Sequence, residues 1–264
     1  MNPLPQYDNP AYKAGGKLAG RTAVITGGDS GIGRAVAVCF AKEGADVAII
    51  HLGENIDAVE TLRSVTALGR KCSKIQADLS GEQGVVDAVK KAVDSLGHID
   101  ILVNNAAVQY PQNSILDITQ EQLNHTFASN FFSCFFMSKA VLPHLSSGSA
   151  IINTASVTAF EGNPELIDYS ATKGAIVAFT RSLSLSLAGC GVRVNAVAPG
   201  PVWTPLIVSS FSPEKVQTFG STVPMQRAAQ PFELAPAYVY LACDDSRYVS
   251  GQVLHINGGT IVGS

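Results

Sequence analysis

The chain has 264 residues, of which 46% are hydrophobic and 15% are charged, and its formal net charge is −3. This hydrophobic content is sufficient for a buried parallel sheet covered on both faces. Because the chain has no excess of positive charge, we expect neither nucleic acid nor an anionic membrane as a partner.

The apolar pattern predicts strands and helices that alternate along nearly the whole chain. The predicted strands cover residues 22–26, 46–51, 72–76, 99–103, 149–155, 192–198 and 253–257. The predicted helices cover residues 31–43, 55–68, 82–96, 119–145, 168–188 and 231–242. Such alternation requires right-handed crossovers, so we predict a Rossmann-type α/β fold, a doubly wound parallel sheet in three αβα layers. Residues 20–264 are expected to form this single domain, with an insertion at about 201–228.

The first residues differ from the rest because Pro3, Pro5 and Pro10 disfavour regular structure. We expect residues 1–19 to form an extended arm that packs on the body, packs on a neighbouring subunit or stays disordered. This stretch has no apolar core, so no signal peptide is expected. The five cysteines are scattered without metal-ligand spacing, which favours a cytoplasmic location and no bound metal.

A glycine-rich turn lies between the first predicted strand and the first predicted helix. Its sequence is Thr26-Gly27-Gly28-Asp29-Ser30-Gly31-Ile32-Gly33. Glycines let the backbone approach a pyrophosphate closely, and the N–H groups at the start of the helix attract its charge. The alternative is a strand–helix turn that binds nothing.

Tyr169 and Lys173 lie four residues apart on a predicted helix, so their side chains share one face. A tyrosine hydroxyl ordinarily titrates near 10, and an adjacent cation favours the phenolate. The pair therefore indicates acid–base chemistry, although Tyr and Lys at this spacing also occur on ordinary helix faces.

Several motifs together give the chain a family resemblance. These are the glycine turn, Asn104-Asn105-Ala106-Ala107, Asn130, Ser156, Tyr169, Lys173 and Pro199-Gly200. With them, the chain from about residue 20 onward resembles a short-chain dehydrogenase/reductase. The stretch Tyr12-Lys13-Ala14-Gly15-Gly16-Lys17-Leu18 is similar to the bacterial general stress protein oxidoreductase branch of that family.

The resemblance implies a carbonyl–alcohol interconversion by nicotinamide hydride transfer, with four catalytic residues. Tyr169 would be the proton donor or acceptor, and Lys173 would hold the nicotinamide ribose and lower the pKa of the tyrosine. Ser156 would orient the substrate oxygen. Asn130 would mark a helix distortion and hold a water that links the lysine to solvent.

The resemblance also implies the cofactor contacts. They are Gly27, Asp29, Ser30, Gly31, Ile32, Gly33, His51, Asp78, Leu79, Asn105, Ala106, Tyr169, Lys173, Pro199, Gly200, Val202 and Thr204. Asp78 would recognise the adenine amino group, although it could equally be a turn or N-cap aspartate. Ala107 stands where the family usually has glycine, a departure that we expect to be tolerated.

The choice of nicotinamide cofactor depends on the end of the second strand, at His51 and Gly53. A carboxylate there would bind the ribose 2′-hydroxyl and repel a 2′-phosphate. That carboxylate is missing at these positions, but the glycine turn also lacks the basic residue of many NADP-dependent relatives, and Glu54 lies nearby. We therefore favour NADP(H), with NAD(H) as the alternative.

The predicted substrate pocket is formed by residues 109–113, residues 157–167 and the insertion after Pro199. Its aromatic residues and few charges favour a small apolar carbonyl or alcohol substrate. Two other functions remain open: a dehydratase or epimerase on the same scaffold, or a non-catalytic cofactor-binding protein. The resemblance also implies a homotetramer paired through helices 119–145 and 168–188, and the apolar content of residues 127–141 and 175–187 is consistent with that pairing.

Overall fold

The structure, a computed structural model, describes residues 1–53 and 55–263. Glu54, which bears on the choice of cofactor, lies outside the described residues. Within the described ranges, no helix combines the length and the apolar character needed to cross a membrane.

Seven parallel strands form one sheet in the order β3-β2-β1-β4-β5-β6-β7. They are β1 (Thr22–Thr26), β2 (Asp46–His51), β3 (Cys72–Gln76), β4 (Ile101–Asn104), β5 (Ala150–Thr154), β6 (Arg193–Pro199) and β7 (Val253–Ile256). Every residue of β1, β4, β5 and β6 is buried, because helices cover both faces of the sheet. The strand order reverses between β1 and β4, where a doubly wound sheet opens a crevice at its carboxyl edge.

The helices lie in two layers on either side of the sheet. They are α1 (Gly31–Lys42), α2 (Asn55–Ala67), α3 (Glu82–Leu96), α4 (Gln120–Phe127), α5 (Ser133–Val141), α6 (Thr158–Glu161), α7 (Ile167–Leu187), α8 (Pro205–Ser210), α9 (Pro213–Gln217) and α10 (Pro231–Ala242). One core joins α1 and α10 to one face, and a second core joins α3 and α5 to the other. The predicted Rossmann-type α/β fold is confirmed.

Two predicted elements differ from the structure. The predicted helix 119–145 is divided into α4 and α5 by a π-helical turn at Ala128–Phe132, and it ends in a 3₁₀ turn at Leu142–His144. The insertion at 201–228 contains the short helices α8 and α9, which were not predicted because each has only one or two turns. A π-helical turn inserts one extra residue per turn, and such turns are common at functional sites.

The N-terminal arm has no helix or strand and packs on its own chain. The buried carboxylate of Glu43 accepts bonds from the Tyr12 hydroxyl at 2.5 Å and from the Lys17 amide at 2.8 Å. Farther out, the Pro3 carbonyl accepts a 2.9 Å bond from the indole Nε1 of Trp203. The arm thereby connects the end of α1 to the loop that follows β6.

Candidate active site

A cavity of about 900 Å³ opens at the carboxyl edge of the sheet. It lies at the β1–β4 switch point, where ligands bind in doubly wound sheets. Its lining includes most of the residues predicted from the sequence: Gly27, Asp29, Ser30, Gly31, Ile32, His51, Asp78, Leu79, Asn105, Ala106, Ser156, Tyr169, Lys173, Pro199, Gly200, Val202 and Thr204. Gly33 and Asn130 are absent from this lining and lie behind it.

The glycine turn is shaped by close packing between backbones. A Cβ atom at Gly33 would lie 2.0 Å from the Gly27 carbonyl oxygen, so only glycine fits there. Gly27 has a φ of +62°, which favours glycine, and its backbone lies against Ala106. The turn leads into α1, whose first N–H groups have no partner within the helix. This cradle fits the pyrophosphate of a dinucleotide.

Asn105 fastens the glycine turn to the end of β4. Its side-chain amide donates to the carbonyl oxygens of Thr26 and Gly27 at 3.1 and 3.2 Å. Its backbone N–H donates to the Thr26 hydroxyl at 2.9 Å. Asn105 therefore holds the shape of the turn, in addition to lining the cavity.

The end of β2 forms the part of the cavity where an adenosine ribose would lie. His51 is buried, and its Nδ1 lies 3.3 Å from the Gly53 carbonyl oxygen. Gly53 lines the cavity, and a Cβ atom there would meet no atom within 4 Å. The described part of this wall therefore offers open space and no carboxylate.

Asp78 is a turn aspartate in the structure, and its recognition of adenine stays a prediction. Its carboxylate accepts a 2.8 Å bond from the Ser80 backbone N–H, which makes it a turn aspartate. That bond holds the pKa of Asp78 below its ordinary value. Asp78 also lines the cavity, beside Leu79.

Lys173 and Tyr169 lie on α7 and face the cavity together. The Nζ of Lys173 is 5.4 Å from the centre of the Tyr169 ring and donates a 2.8 Å bond to the Thr154 carbonyl oxygen. Burial lowers the pKa of Lys173 to about 8. Thr154, at the end of β5, was not singled out from the sequence because a backbone acceptor has no residue signature.

The pKa of Tyr169 lies above its ordinary value. Burial raises it to about 12, and the hydrogen bond with Ser156 acts in the opposite direction. Desolvation of the phenolate outweighs this hydrogen bond, and the lowering of the pKa by Lys173 stays a prediction. The tyrosine is a protonated phenol throughout the neutral range.

The Ser156 hydroxyl accepts bonds from the Thr158 backbone N–H at 3.2 Å and from the Thr158 hydroxyl at 3.1 Å. With both lone pairs engaged, Ser156 can only donate, either to the Tyr169 oxygen or to a substrate oxygen. Ser156 and Tyr169 thus present two hydroxyl donors on the same wall of the cavity.

Asn130 lies inside the π-helical turn and is buried. Its Oδ1 accepts from the Val108 N–H at 2.8 Å, and its Nδ2 donates to the Val108 carbonyl at 2.9 Å and to the Thr172 hydroxyl at 3.1 Å. The helix distortion therefore lies where the sequence placed it, and the amide is satisfied by protein groups. Asn130 connects the segment after β4 to the helix that carries Tyr169.

The loop after β6 closes one side of the cavity and contacts the glycine turn. Thr204 caps α8, and its Cγ2 would lie 3.2 Å from a Cβ atom at Gly31. Val202 pairs with Ala229 in a short parallel bridge that fixes the base of the insertion. Thr204 is therefore held directly against the glycine turn, and Pro199, Gly200 and Val202 line the cavity near it.

The substrate side of the cavity carries charged as well as apolar residues. Glu161, Glu165 and Lys215 line it, together with apolar residues such as Leu166 and Phe211. Lys215 of α9 forms an ion pair with Glu165 across the cavity. The sequence did not reveal this ion pair because the fold of the insertion, which brings Lys215 to Glu165, cannot be inferred from local sequence. Over the residues that the structure covers, no cluster of His, Cys, Asp and Glu is arranged to hold a metal.

Comparison with known proteins finds a matching family and several similar proteins. Residues 27–260 match the family described as Enoyl-(Acyl carrier protein) reductase. General stress protein 39 of Bacillus subtilis is 54% identical over 262 residues, which cover 99% of this chain and 92% of that protein. The NADPH-dependent aldehyde reductase 1, chloroplastic, of Arabidopsis thaliana is 51% identical over 269 residues, covering 99% of this chain and 93% of that protein.

Comparison with solved structures gives a consistent result. A short-chain dehydrogenase from Burkholderia cenocepacia, solved in complex with NADP, superposes with a TM-score of 0.86 at 31% identity, covering 92% of this chain and 98% of that one. The glycine cradle, the Tyr169–Lys173 pair and these relatives lead to one assignment. The chain belongs to the short-chain dehydrogenase/reductase family of NAD(P)-dependent oxidoreductases.

Proposed function

We propose that the protein is an NADP(H)-dependent reductase of small aldehydes and ketones, which also oxidises the corresponding alcohols. The observation that carries this proposal is the convergence of Tyr169, Lys173 and Ser156 on one wall of the cavity that also contains the glycine turn. A site that only bound a cofactor would not need a buried proton donor. A dehydratase or epimerase would run without net consumption of the nucleotide.

The proposed roles follow from the geometry. Bound nicotinamide supplies or accepts the hydride. Tyr169, with a pKa of about 12, donates its proton to the carbonyl oxygen during reduction. Ser156 donates a hydrogen bond to the same oxygen and orients it. Lys173, with a pKa of about 8, is mostly charged at neutral pH and would hold the nicotinamide ribose while stabilising the phenolate as it forms.

Asn130 would hold other residues in position and would not itself contact the substrate. Its three hydrogen bonds fix Val108 and Thr172, and the Thr172 hydroxyl in turn donates to the Tyr169 carbonyl. We propose that it keeps the π-helical turn open, and that a water bound there connects Lys173 to solvent.

We propose NADP(H) rather than NAD(H) because the described end of β2 has room beside Gly53 and no carboxylate to repel a 2′-phosphate. His51 shapes this wall through its contact with Gly53. The names of two similar proteins point in the same direction, since one is an NADPH-dependent aldehyde reductase and the other was solved with NADP.

The cofactor contacts divide along the cavity. Gly27, Asp29, Ser30, Gly31 and Ile32 would face the pyrophosphate, and Gly33 would support them from behind. Asp78, Leu79, Asn105 and Ala106 would face the adenosine. Pro199, Gly200, Val202 and Thr204 would face the nicotinamide.

We also propose a homotetramer in the cytoplasm. Phe132 and Phe135, on the π-helical turn and α5, remain 44% and 43% exposed, and Leu185 on α7 is 83% exposed. Apolar surfaces of this kind are buried when subunits pair. All five cysteines are free thiols, as in proteins of a reducing compartment. Light scattering that gives a monomer would refute the tetramer.

The function is tested by titrating the protein with NADPH and NADH in parallel and then assaying reduction of butanal and benzaldehyde. We expect tighter binding of NADPH and consumption of NADPH only when an aldehyde is present. Equal binding of both nucleotides would refute the cofactor preference. Binding of NADPH without consumption, for any aldehyde or ketone in a broad panel, would refute the reductase.

A further inference from the structure

Asp168, the residue directly before Tyr169, is a buried carboxylate with no role in the chemistry described above. It is only 2% exposed. One oxygen, Oδ1, accepts a 2.9 Å bond from the Tyr169 backbone N–H. The other, Oδ2, accepts bonds from the Thr126 hydroxyl at 2.7 Å and from the Gln122 side-chain amide at 3.0 Å. Both oxygens are thus hydrogen-bonded.

The carboxylate suits this place for two physical reasons. An ionised carboxylate only accepts hydrogen bonds, and all three of these partners donate. Asp168 also lies in the first turn of the 21-residue helix α7, where the helix dipole stabilises negative charge. These hydrogen bonds attach the first turn of α7 to α4. They also fix the Tyr169 backbone, from which its side chain extends.

Gln122 extends this connection to the substrate side of the cavity. Its Nε2 donates to the Tyr110 carbonyl at 3.2 Å as well as to Asp168, and its Oε1 accepts from Gln112 Nε2 at 2.7 Å. The Gln112 backbone N–H in turn donates to the Glu165 carbonyl at 2.9 Å. A continuous set of hydrogen bonds therefore runs from the peptide of Tyr169 to residues 109–113, which include Gln109 in the cavity wall.

We propose that Asp168 is a positioning residue for Tyr169, and that Gln122 couples this position to residues 109–113. When a substrate contacts that segment, the same hydrogen bonds hold the phenol at the distance that proton transfer requires. This inference rests on the proposed function, because the phenol that is positioned is the proposed proton donor.

The isosteric variant Asp168→Asn makes the network testable. An asparagine side chain presents one acceptor and one donor, so its NH₂ group must face either the Tyr169 N–H or the Gln122 and Thr126 donors. Gln122 cannot turn to relieve a donor–donor contact without losing its bonds to Gln112 and Tyr110. The donor–donor contact therefore displaces either the first turn of α7, which carries Tyr169, or residues 109–113.

For the enzyme assay we compare Asp168→Asn and Gln122→Met with wild type, using NADPH and the better of butanal and benzaldehyde. We expect Asp168→Asn to lower kcat at least about tenfold while the Kd for NADPH changes less than about twofold, since misplacement of a catalytic group lowers the rate of the chemical step. We expect Gln122→Met to raise KM at least about fivefold with a smaller change in kcat, because it frees residues 109–113. Asp100→Asn is the matched control: Asp100 accepts a backbone bond from Thr22 at the opposite edge of the sheet.

A second readout does not depend on turnover. The seven tyrosines can be replaced by 3-fluorotyrosine, and the Tyr169 signal in the ¹⁹F NMR spectrum assigned with Tyr169→Phe. We expect Asp168→Asn to shift the Tyr169 signal and Asp100→Asn to leave it in place. If no aldehyde is reduced but this signal shifts, the proposed function fails and the positioning survives. An unshifted signal, or an Asp168→Asn enzyme with wild-type kcat and KM, would overturn the positioning proposal.

Discussion

The substitution Gly53→Asp tests whether the open end of β2 selects NADP(H). Apart from its chain neighbours, no described residue lies within 4 Å of a Cβ atom at Gly53, and the residue lines the cavity, so there is room for the new carboxylate. The substitution therefore changes charge with little change in packing.

The size of the effect follows from Coulomb's law. A carboxylate about 6 Å from a 2′-phosphate of charge about −2, at an effective dielectric constant of about 40 to 80, repels it by about 1.4 to 2.8 kcal/mol. That energy corresponds to a weakening of NADPH binding by about tenfold to one hundredfold. NADH carries no 2′-phosphate, and a new bond to its ribose 2′-hydroxyl would hold or improve its affinity.

The assay is fluorescence titration of the wild type, Gly53→Asp and the neutral control Gly53→Asn with both nucleotides, at low and at high salt. We expect NADPH to be weakened in Gly53→Asp alone, and less so at high salt because mobile ions screen the repulsion. If Gly53→Asp and Gly53→Asn bind NADPH equally well, the end of β2 does not face the 2′-phosphate and the reasoning is refuted.

Three further predictions follow from the buried groups and the arm. NADPH binding should weaken as the pH rises through about 8. Burial lowers the pKa of Lys173 to about 8, so the amine loses its charge above that value. The variant Lys173→Met should bind NADPH weakly at every pH and lack this pH dependence. Asn130→Ala leaves the Val108 N–H and C=O unpaired, so the free energy of unfolding measured by urea titration should fall by about 2 to 4 kcal/mol. A loss below about 0.5 kcal/mol would contradict the role of the Asn130 amide. Deletion of residues 1–10 removes the acceptor of the Trp203 indole, so the emission of this single tryptophan should move to longer wavelength and Tm should fall; an unchanged spectrum would show that the arm does not hold Trp203.

The parts of the fold and site that could be predicted are those encoded locally. The glycine turn follows from a short run of residues between a strand and a helix, and Tyr169 and Lys173 meet because four residues make about one helical turn. The helix distortion at Asn130 was implied by the family resemblance rather than by local pattern, and the structure has a π-helical turn at that residue.

What could not be predicted depends on contacts between distant segments. The ion pair between Lys215 and Glu165 requires the fold of the insertion, and the burial of His51 requires the packing around the end of β2. The attachment of the arm to Glu43 joins residues 26 to 31 positions apart. The sequence did not indicate a role for Asp168, because an acidic residue is common at the start of a helix. Its hydrogen-bond partners Thr126 and Gln122 lie on another helix.

The central claim is that Tyr169 donates the proton in an NADPH-dependent reduction, and Tyr169→Phe tests it most directly. The variant keeps the ring and removes only the hydroxyl, so NADPH should bind with a Kd within about twofold of wild type while turnover falls by about 10²- to 10⁴-fold, the usual contribution of a general acid. If Tyr169→Phe binds NADPH normally and still reduces the aldehyde at more than about a tenth of the wild-type rate, a general acid other than Tyr169 must supply the proton and the account is contradicted.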